Sequence, residues 1–264
     1  MPSPAIEVED VHKSFGDHRV LQGISFRVET GETLCILGGS GDGKTTLLKV
    51  LMGVLPPDGG RVLVDGEDVY ALTPDGLGAL RRKIGVTFQS GALLNSKTLT
   101  ENVALPLEYH TALDEETIAT MVKIKLQQVG LLHAAELKPD EISGGMKKRA
   151  AVARALAMDP QILFYDEPSA GLDPIATASV DRLINDLKTG MGITSVVVTH
   201  EMESVQRIAD HVLLQYRGRV LLDGSLADLM ESPDGRVQQF VNGDIEGMAL
   251  GPTSLAAYHR DLLV

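Results

Sequence analysis

The chain has 264 residues, 44% of them hydrophobic and 23% charged, enough for one α/β domain with an inserted subdomain and too few for two nucleotide-binding units. Asp and Glu total 36 against 24 Lys and Arg, a formal charge of -12 that repels a phosphate backbone and excludes nucleic acid as a general partner. The single cysteine, Cys35, rules out an internal disulfide and suits a reducing compartment. Met1–Glu7 lack the basic and apolar regions of a signal peptide, and no run of about 18 apolar residues occurs, so any membrane role is expected to come through a partner.

Residues 6–8, 20–28 and 61–64 alternate in the short apolar pattern of strands, with turns marked by Gly23, Gly31 and Gly59-Gly60, and predict an antiparallel β-layer. Between them an apolar strand, Thr33–Leu37, runs into Gly38-Gly39-Ser40-Gly41-Asp42-Gly43-Lys44-Thr45-Thr46 and then a helical stretch, 46–51. This is the G-x-x-x-x-G-K-[ST] pattern in its required strand-to-helix setting: glycines let the backbone N–H groups converge on phosphates, and the helix N-terminus adds partial positive charge. Lys44 supplies a full charge and Thr45 is placed to ligate Mg²⁺. The motif predicts that the chain binds a nucleoside triphosphate. Asp42 is an unusual anion in such a loop; with the backbone donors on the concave side, its side chain is expected to point away, with modest weakening of affinity.

Further along, residues 114–130 and 144–158 are helix-rich and strand-poor, so about 90–158 reads as a helical insertion. Apolar runs at 162–165 and 195–198, alternating with helical stretches at 175–189 and 202–209, predict a buried parallel sheet. Pro233-Asp234-Gly235 then breaks the chain. Residues 236–264 read as an irregular tail appended to a domain spanning 1–235. The tail's apolar residues Phe240, Val241, Met248, Leu250, Leu255, Tyr258, Leu262 and Leu263 are expected to pack onto something.

The strand at 162–165 ends in Asp166-Glu167. Carboxylates delivered beside a nucleotide can hold Mg²⁺ through water (Asp166) and polarise the attacking water (Glu167). With these residues in view, the chain from about 5 to 230 resembles the ATP-binding-cassette ATPases, the nucleotide-binding subunits of ABC transporters. Gln89, after the strand 85–88, resembles that family's Q-loop glutamine, with a catalytic and Mg²⁺-binding role. Ser143-Gly144-Gly145 resembles its signature, Gly171-Leu172-Asp173 its D-loop, and Thr199-His200 its switch histidine. Phe15 occupies the place of the adenine-stacking aromatic.

The resemblance implies a P-loop ATPase fold with an antiparallel β-subdomain and a helical subdomain. It also implies ATP and Mg²⁺ as ligands and a head-to-tail homodimer in which the signature of one subunit caps the γ-phosphate held by the other. Ser143 is independently expected to cap its own helix. Met146-Lys147-Lys148-Arg149, where the family usually has Gln-Gln-Gln-Arg, resembles the lipid-handling branch of the Mla and Mce-type phospholipid transporters, as does the segment 240–247. Beyond that signature, Lys147, Lys148 and Arg149 read as a solvated helical face.

That branch implies phospholipid as cargo, a transmembrane permease docking near Ser90–Ser96, a STAS-domain subunit and an MCE-domain substrate-binding protein. It also implies a place on the cytoplasmic face of a bacterial inner membrane and a tail reaching across to the second ATPase subunit. Two rival readings are a polar amino-acid importer, whose cassette has nearly the same motifs, and a soluble ATPase acting on DNA or the ribosome. The latter is disfavoured by the acidic charge and by the lack of a coiled-coil insertion.

Overall fold

The computed structural model describes residues 4–243. The chain opens with β1 (Ile6–Phe15) and β2 (His18–Val28), continues through β3 (Thr33–Gly38) and α1 (Lys44–Leu51), and adds β4 (Gly59–Val64) and β5 (Glu67–Asp68). Then α2 (Pro74–Arg82) and β6 (Ile84–Thr87) lead into α3 (Leu99–His110), α4 (Glu115–Gln128) and α5 (Gly144–Ala155). The remainder is β7 (Ile162–Asp166), α6 (Pro174–Met191), β8 (Thr194–Val198), α7 (Met202–Ile208), β9 (His211–Tyr216), β10 (Arg219–Gly224), α8 (Leu226–Met230) and α9 (Gly235–Asn242).

Two sheets result. Strands β2-β1-β4-β5 make an antiparallel layer, and β10-β9-β3-β8-β7-β6 make a sheet that is parallel except for the β9–β10 hairpin. The strict alternation of side chains along a strand sorts the second sheet into two cores. Leu34, Ile36, Ile162, Phe164, Val196 and Val198 face α1 and the antiparallel layer, whereas Cys35, Leu37, Leu163, Tyr165 and Val197 face the helices α3 to α7. Strands buried on both faces need apolar residues at every position, which is why β3, β7 and β8 read as continuous hydrophobic runs. Cys35 is one of these buried residues, and burial pushes its thiol pKa up, as suits a small core hydrophobe.

Local signals set the helices. Thr98 and Glu101 form a reciprocal capping box at the start of α3, Asp114 caps α4, and Asp173 caps α6, which ends on Gly192 at φ 68. Three differences from the sequence reading stand out. Strand β1 runs on to Phe15 through bulges around Asp10 (φ 47), because pairing with β2 carries polar residues that alternation alone does not reveal. Helix α2 is short, contains Gly76 and Gly78 and has only Leu80 fully buried, so the sequence reading passes over it. Finally, the described part of the segment read as an irregular tail, up to Asn242, belongs to α9, with Val237 only 1% exposed and Phe240 and Val241 packed against the helical-side core. The expectation that Met248, Leu250, Leu255, Tyr258, Leu262 and Leu263 reach a second subunit falls outside the described residues.

Candidate nucleotide site

Strand β3 ends where the backbone must turn sharply toward α1, and two glycines make the turn possible. Gly38 adopts φ +151 with a would-be Cβ 2.5 Å from the Gln215 carbonyl, and Gly43 adopts φ +99 with a would-be Cβ 2.9 Å from the Val20 carbonyl. Helix α1 starts at Lys44, two residues earlier than the sequence suggested, and its first intrahelical bond runs from Leu47 N to Gly43 O. The N–H groups of Lys44, Thr45 and Thr46 therefore have no acceptor within the helix and face the cleft. The Lys44 ammonium donates to the Gly38 and Gly39 carbonyls at 2.9 and 2.8 Å. Burial lowers its pKa, while Glu167, Asp42 and Asp166 act in the opposite direction.

The loop opens on a cleft of about 750 Å³ whose floor is Gly38 to Gly41 and Gly43 to Thr46. Gln89, Asp166, Glu167 and His200 form one wall; Phe15, Val20 and Phe240 also line the cleft. Strands β6, β7 and β8 lie side by side in the sheet, so the residues at and just past their C-terminal ends, Gln89, Asp166-Glu167 and His200, meet at one edge. His200 Nδ1 is hydrogen-bonded to Glu167 Oε1 at 3.0 Å. Glu167 sits at φ 50, a sparsely populated conformation for a residue with a side chain. It is held there by its own N–H to Val198 O at 2.9 Å and by a cation on its carbonyl. Asp166 has its pKa raised by burial first and by Glu167 second, with Lys49, Lys44 and Lys148 opposing.

Thr45, Gln89 and Asp166 bring hydroxyl, amide and carboxylate oxygens to this cleft, the hard donor set that suits Mg²⁺. Among the described residues no group of three or more His, Cys, Asp and Glu stands ready to hold a metal alone. A Mg²⁺ ion here would share its shell with phosphate oxygens.

Asp42 does not line the cleft. Its carboxylate accepts from Gly39 N at 2.7 Å and from Arg217 N at 2.9 Å, tying the loop to the β9–β10 turn. Ser143, Gly144, Gly145 and Asp173 do not line it either. Ser143 caps α5, its Oγ accepting from Met146 N at 3.3 Å, and Asp173 Oδ1 accepts from Ile175 N and Ala176 N at 3.0 Å each. The two glycines abut the start of α6, where would-be Cβ atoms lie 3.3 Å from Leu172 and 3.1 Å from Ala176. The chain thus carries two separate anion-competent features, a phosphate loop and a capped, glycine-lined helix start.

The reading of Lys148 and Arg149 as a solvated face is corrected by the structure. Lys148 Nζ donates to Gln89 O at 2.6 Å and to Glu167 O at 2.9 Å, bridging two strand ends. Arg149 donates to Val129 O at 2.9 Å. Lys148 is one helical turn from Ala151, which is buried, so its stem lies along packed surface while the ammonium reaches the site. Two further residues carry no motif that would have marked them: Arg154 donates to the Gly91 and Ala92 carbonyls, and fully buried Asn102 binds the backbone of Leu94, Lys97 and Thr98. Together they hold the segment after Gln89.

Comparison with known proteins agrees with this geometry. The ABC transporter family model matches residues 21–170. The intermembrane phospholipid transport system ATP-binding protein MlaF of Escherichia coli K12 is 40% identical over 258 residues, 98% of this chain and 96% of that protein. The probable ribonucleotide transport ATP-binding protein mkl of Mycobacterium leprae is 41% identical over 239 residues, 90% of this chain and 69% of that protein. Among solved structures, the dimeric post-hydrolysis state of the ATP-binding cassette MJ0796 bound to ADP and Pi matches with a TM-score of 0.76 at 31% identity, over 84% of this chain and 98% of that one. A phosphate loop, a carboxylate pair, a histidine and a glutamine at one sheet edge, on a chain with this similarity along its length, are those of an ATP-binding cassette, and the chain belongs to the ABC transporter family.

Proposed function

We propose that this chain is the ATP-hydrolysing subunit of an inner-membrane ABC transporter that moves phospholipid between inner and outer membranes. The observation that carries the cargo assignment is the similarity to the E. coli phospholipid-transport ATPase along nearly the whole of both chains. The mycobacterial relative, by contrast, extends well beyond this chain.

Within the site, the loop N–H groups and Lys44 bind the triphosphate. Phe15 offers a face to adenine. Thr45, Asp166 and Gln89 would hold Mg²⁺, which would supply charge neutralisation at the phosphates. Glu167 takes a proton from the attacking water, and His200, already oriented by Glu167, donates to the γ-phosphate. Ser143, Gly144 and Gly145 serve the nucleotide of a second copy of the chain, and Asp173 lies beside that contact. Two facts support this composite site: the signature residues stand outside their own chain's cleft, and the MJ0796 cassette is dimeric with ADP and Pi bound. ATP closes the dimer and hydrolysis releases it, a population shift set by differential affinity.

Among the described residues no helix is long and apolar enough to cross a membrane, so energy would pass to a permease by contact, from a position on the cytoplasmic face. A groove lined by Met52, Val54, Val86 and Phe88 borders Thr45 and Asp166. Val54 and Phe88 are exposed there, next to the braced Ser90–Ser96 segment, and suit an amphipathic permease helix. Resemblance to the lipid branch adds a STAS-domain subunit and an MCE-domain protein. We assign residues 1–235 to the cassette, about 90–158 to its helical subdomain and 236–264 to an extension; α9 (Gly235–Asn242), at their boundary, docks on the cassette through Val237.

The test is reconstitution with the permease in vesicles carrying labelled phospholipid. ATP-dependent lipid movement that is lost in Lys44→Ala, which also loses ATP binding, is the expected result. Permease-stimulated hydrolysis with no lipid movement would refute the cargo.

A further inference from the structure

The apolar part of the cleft has a contributor that the phosphate-loop motif does not explain. Phe15, at the end of β1, is 52% exposed and lines the cleft, with the Lys13 ammonium 5.9 Å from its ring centroid. Phe240, from α9 some 225 residues later, lines the same cleft.

Helix α9 is firmly placed. Asp234 caps it, with Oδ1 accepting from Arg236 N at 2.8 Å, and Gln238 Nε2 donates to Met230 O and Ser232 O at 3.0 Å each. Val237 is buried in the helical-side core; Phe240, three residues on, shares its face and packs at the edge of that core. The helix is also linked to the phosphate loop. The Arg236 and Arg217 guanidinium groups both lie over the Tyr216 ring, at 5.9 and 5.2 Å from its centroid, and Arg217 N is the donor held by Asp42. Phe240 therefore reaches the cleft on a braced element.

We propose that Phe240 is a second base-contacting residue of this nucleotide site, so that α9 covers a face or edge of the purine that Phe15 leaves to water. The inference rests on reading the cleft as the ATP site. A purine base is flat, apolar on its faces and gains from aromatic contact on each covered side, whereas a bare polyphosphate gains nothing from either ring. Phe240 is thus assigned a role in discriminating nucleotide from polyphosphate, and α9 a direct response to nucleotide occupancy.

The experiment is calorimetric titration of the full chain with ATP and, separately, with inorganic tripolyphosphate, for wild type, Phe240→Ala, Phe240→Leu and Phe240→Tyr. Phe240→Leu keeps apolar packing on the core but lacks the ring, and covers the case in which the alanine variant fails to fold. The expected result is an ATP Kd raised at least about fivefold in Phe240→Leu, retained in Phe240→Tyr, with tripolyphosphate affinity unchanged. Unaltered ATP affinity in Phe240→Leu, with Lys44→Ala still abolishing binding, would overturn the inference and leave the proposed function standing. Equal weakening of ATP and tripolyphosphate would also overturn it, by placing the effect on the phosphate loop. A wild-type chain that binds no ATP would remove the reading on which the inference rests.

Discussion

Replacing Lys148 with methionine keeps an unbranched side chain of similar length and removes its charge. In the structure that charge makes two bonds at once, to Gln89 O at 2.6 Å and to Glu167 O at 2.9 Å, and it faces Glu167, Glu201 and Asp166. A hydrogen bond to a charged group contributes about 1.5–3 kcal/mol when shielded from water. Lys148 is half-buried, so water recovers part of that at both carbonyls, leaving a net loss of about 1–3 kcal/mol for the pair. The loss falls on a particular place: Glu167 sits at φ 50, and the bond to its carbonyl is one of the few that hold it there. If the whole loss appears in the transition state, kcat for ATP hydrolysis falls by about 5- to 150-fold. Lys148 is not among the residues lining the cleft, so ATP affinity should move by less than about twofold. Steady-state hydrolysis and an ATP titration on the same preparation measure both, and Lys148→Arg should recover part of kcat. A methionine variant with wild-type kcat, or one whose loss lies entirely in ATP affinity, would show that the bridge has no part in positioning Glu167.

Glu167→Gln keeps the shape and the contact with His200 but cannot take a proton, so hydrolysis should fall by about 10²–10⁴ while ATP still binds and stabilises the dimer; normal turnover in a preparation free of contaminating ATPases would move the base elsewhere. A mixed dimer of one Ser143→Arg chain and one Lys44→Ala chain should bind ATP at a single site, built from the first chain's phosphate loop and the second chain's signature, whereas neither parent dimer has an intact site. Normal occupancy of both sites in the Ser143→Arg parent would contradict the composite arrangement. His211, between Asp223 (2.5 Å) and Glu32 (3.5 Å), has its pKa raised to about 9, chiefly by the Asp223 bond and then by Glu32. A raised folded-state value means that its contribution is complete below the unfolded pKa near 6.5 and is lost as pH rises through about 9. Denaturant titrations should show stability falling over that interval in wild type and a flatter profile in His211→Gln; identical slopes would refute the pairing.

The phosphate loop, the acidic pair at the end of β7 and the histidine after β8 are legible in the sequence because each is a local event. A strand must end and a helix must begin within a few residues, and only certain residue types can do that while presenting backbone donors, a cation or carboxylates. The layered core is legible for the same reason, since strands covered on both faces must be apolar throughout. Lys148 and Asn102 are not, because their partners lie on other segments: a lysine on a helix looks solvated until the fold sets its ammonium on the carbonyls of Gln89 and Glu167. Phe240 reads as part of an irregular tail, because α9 is only eight residues long and is bounded by Pro233, Gly235 and Gly243, which read as breaks, so that the helical spacing of Val237, Phe240 and Val241 goes unnoticed until the fold packs them on one core. The sequence alone determined that the chain carries a phosphate loop and the other short motifs of the ABC transporter family, since each is set by a few consecutive residues. The tertiary structure decided that the distant Lys148 braces Glu167, and that the Phe240 ring of α9 lines the cleft. Those contacts exist only after segments far apart in the chain have been packed against the same sheet edge.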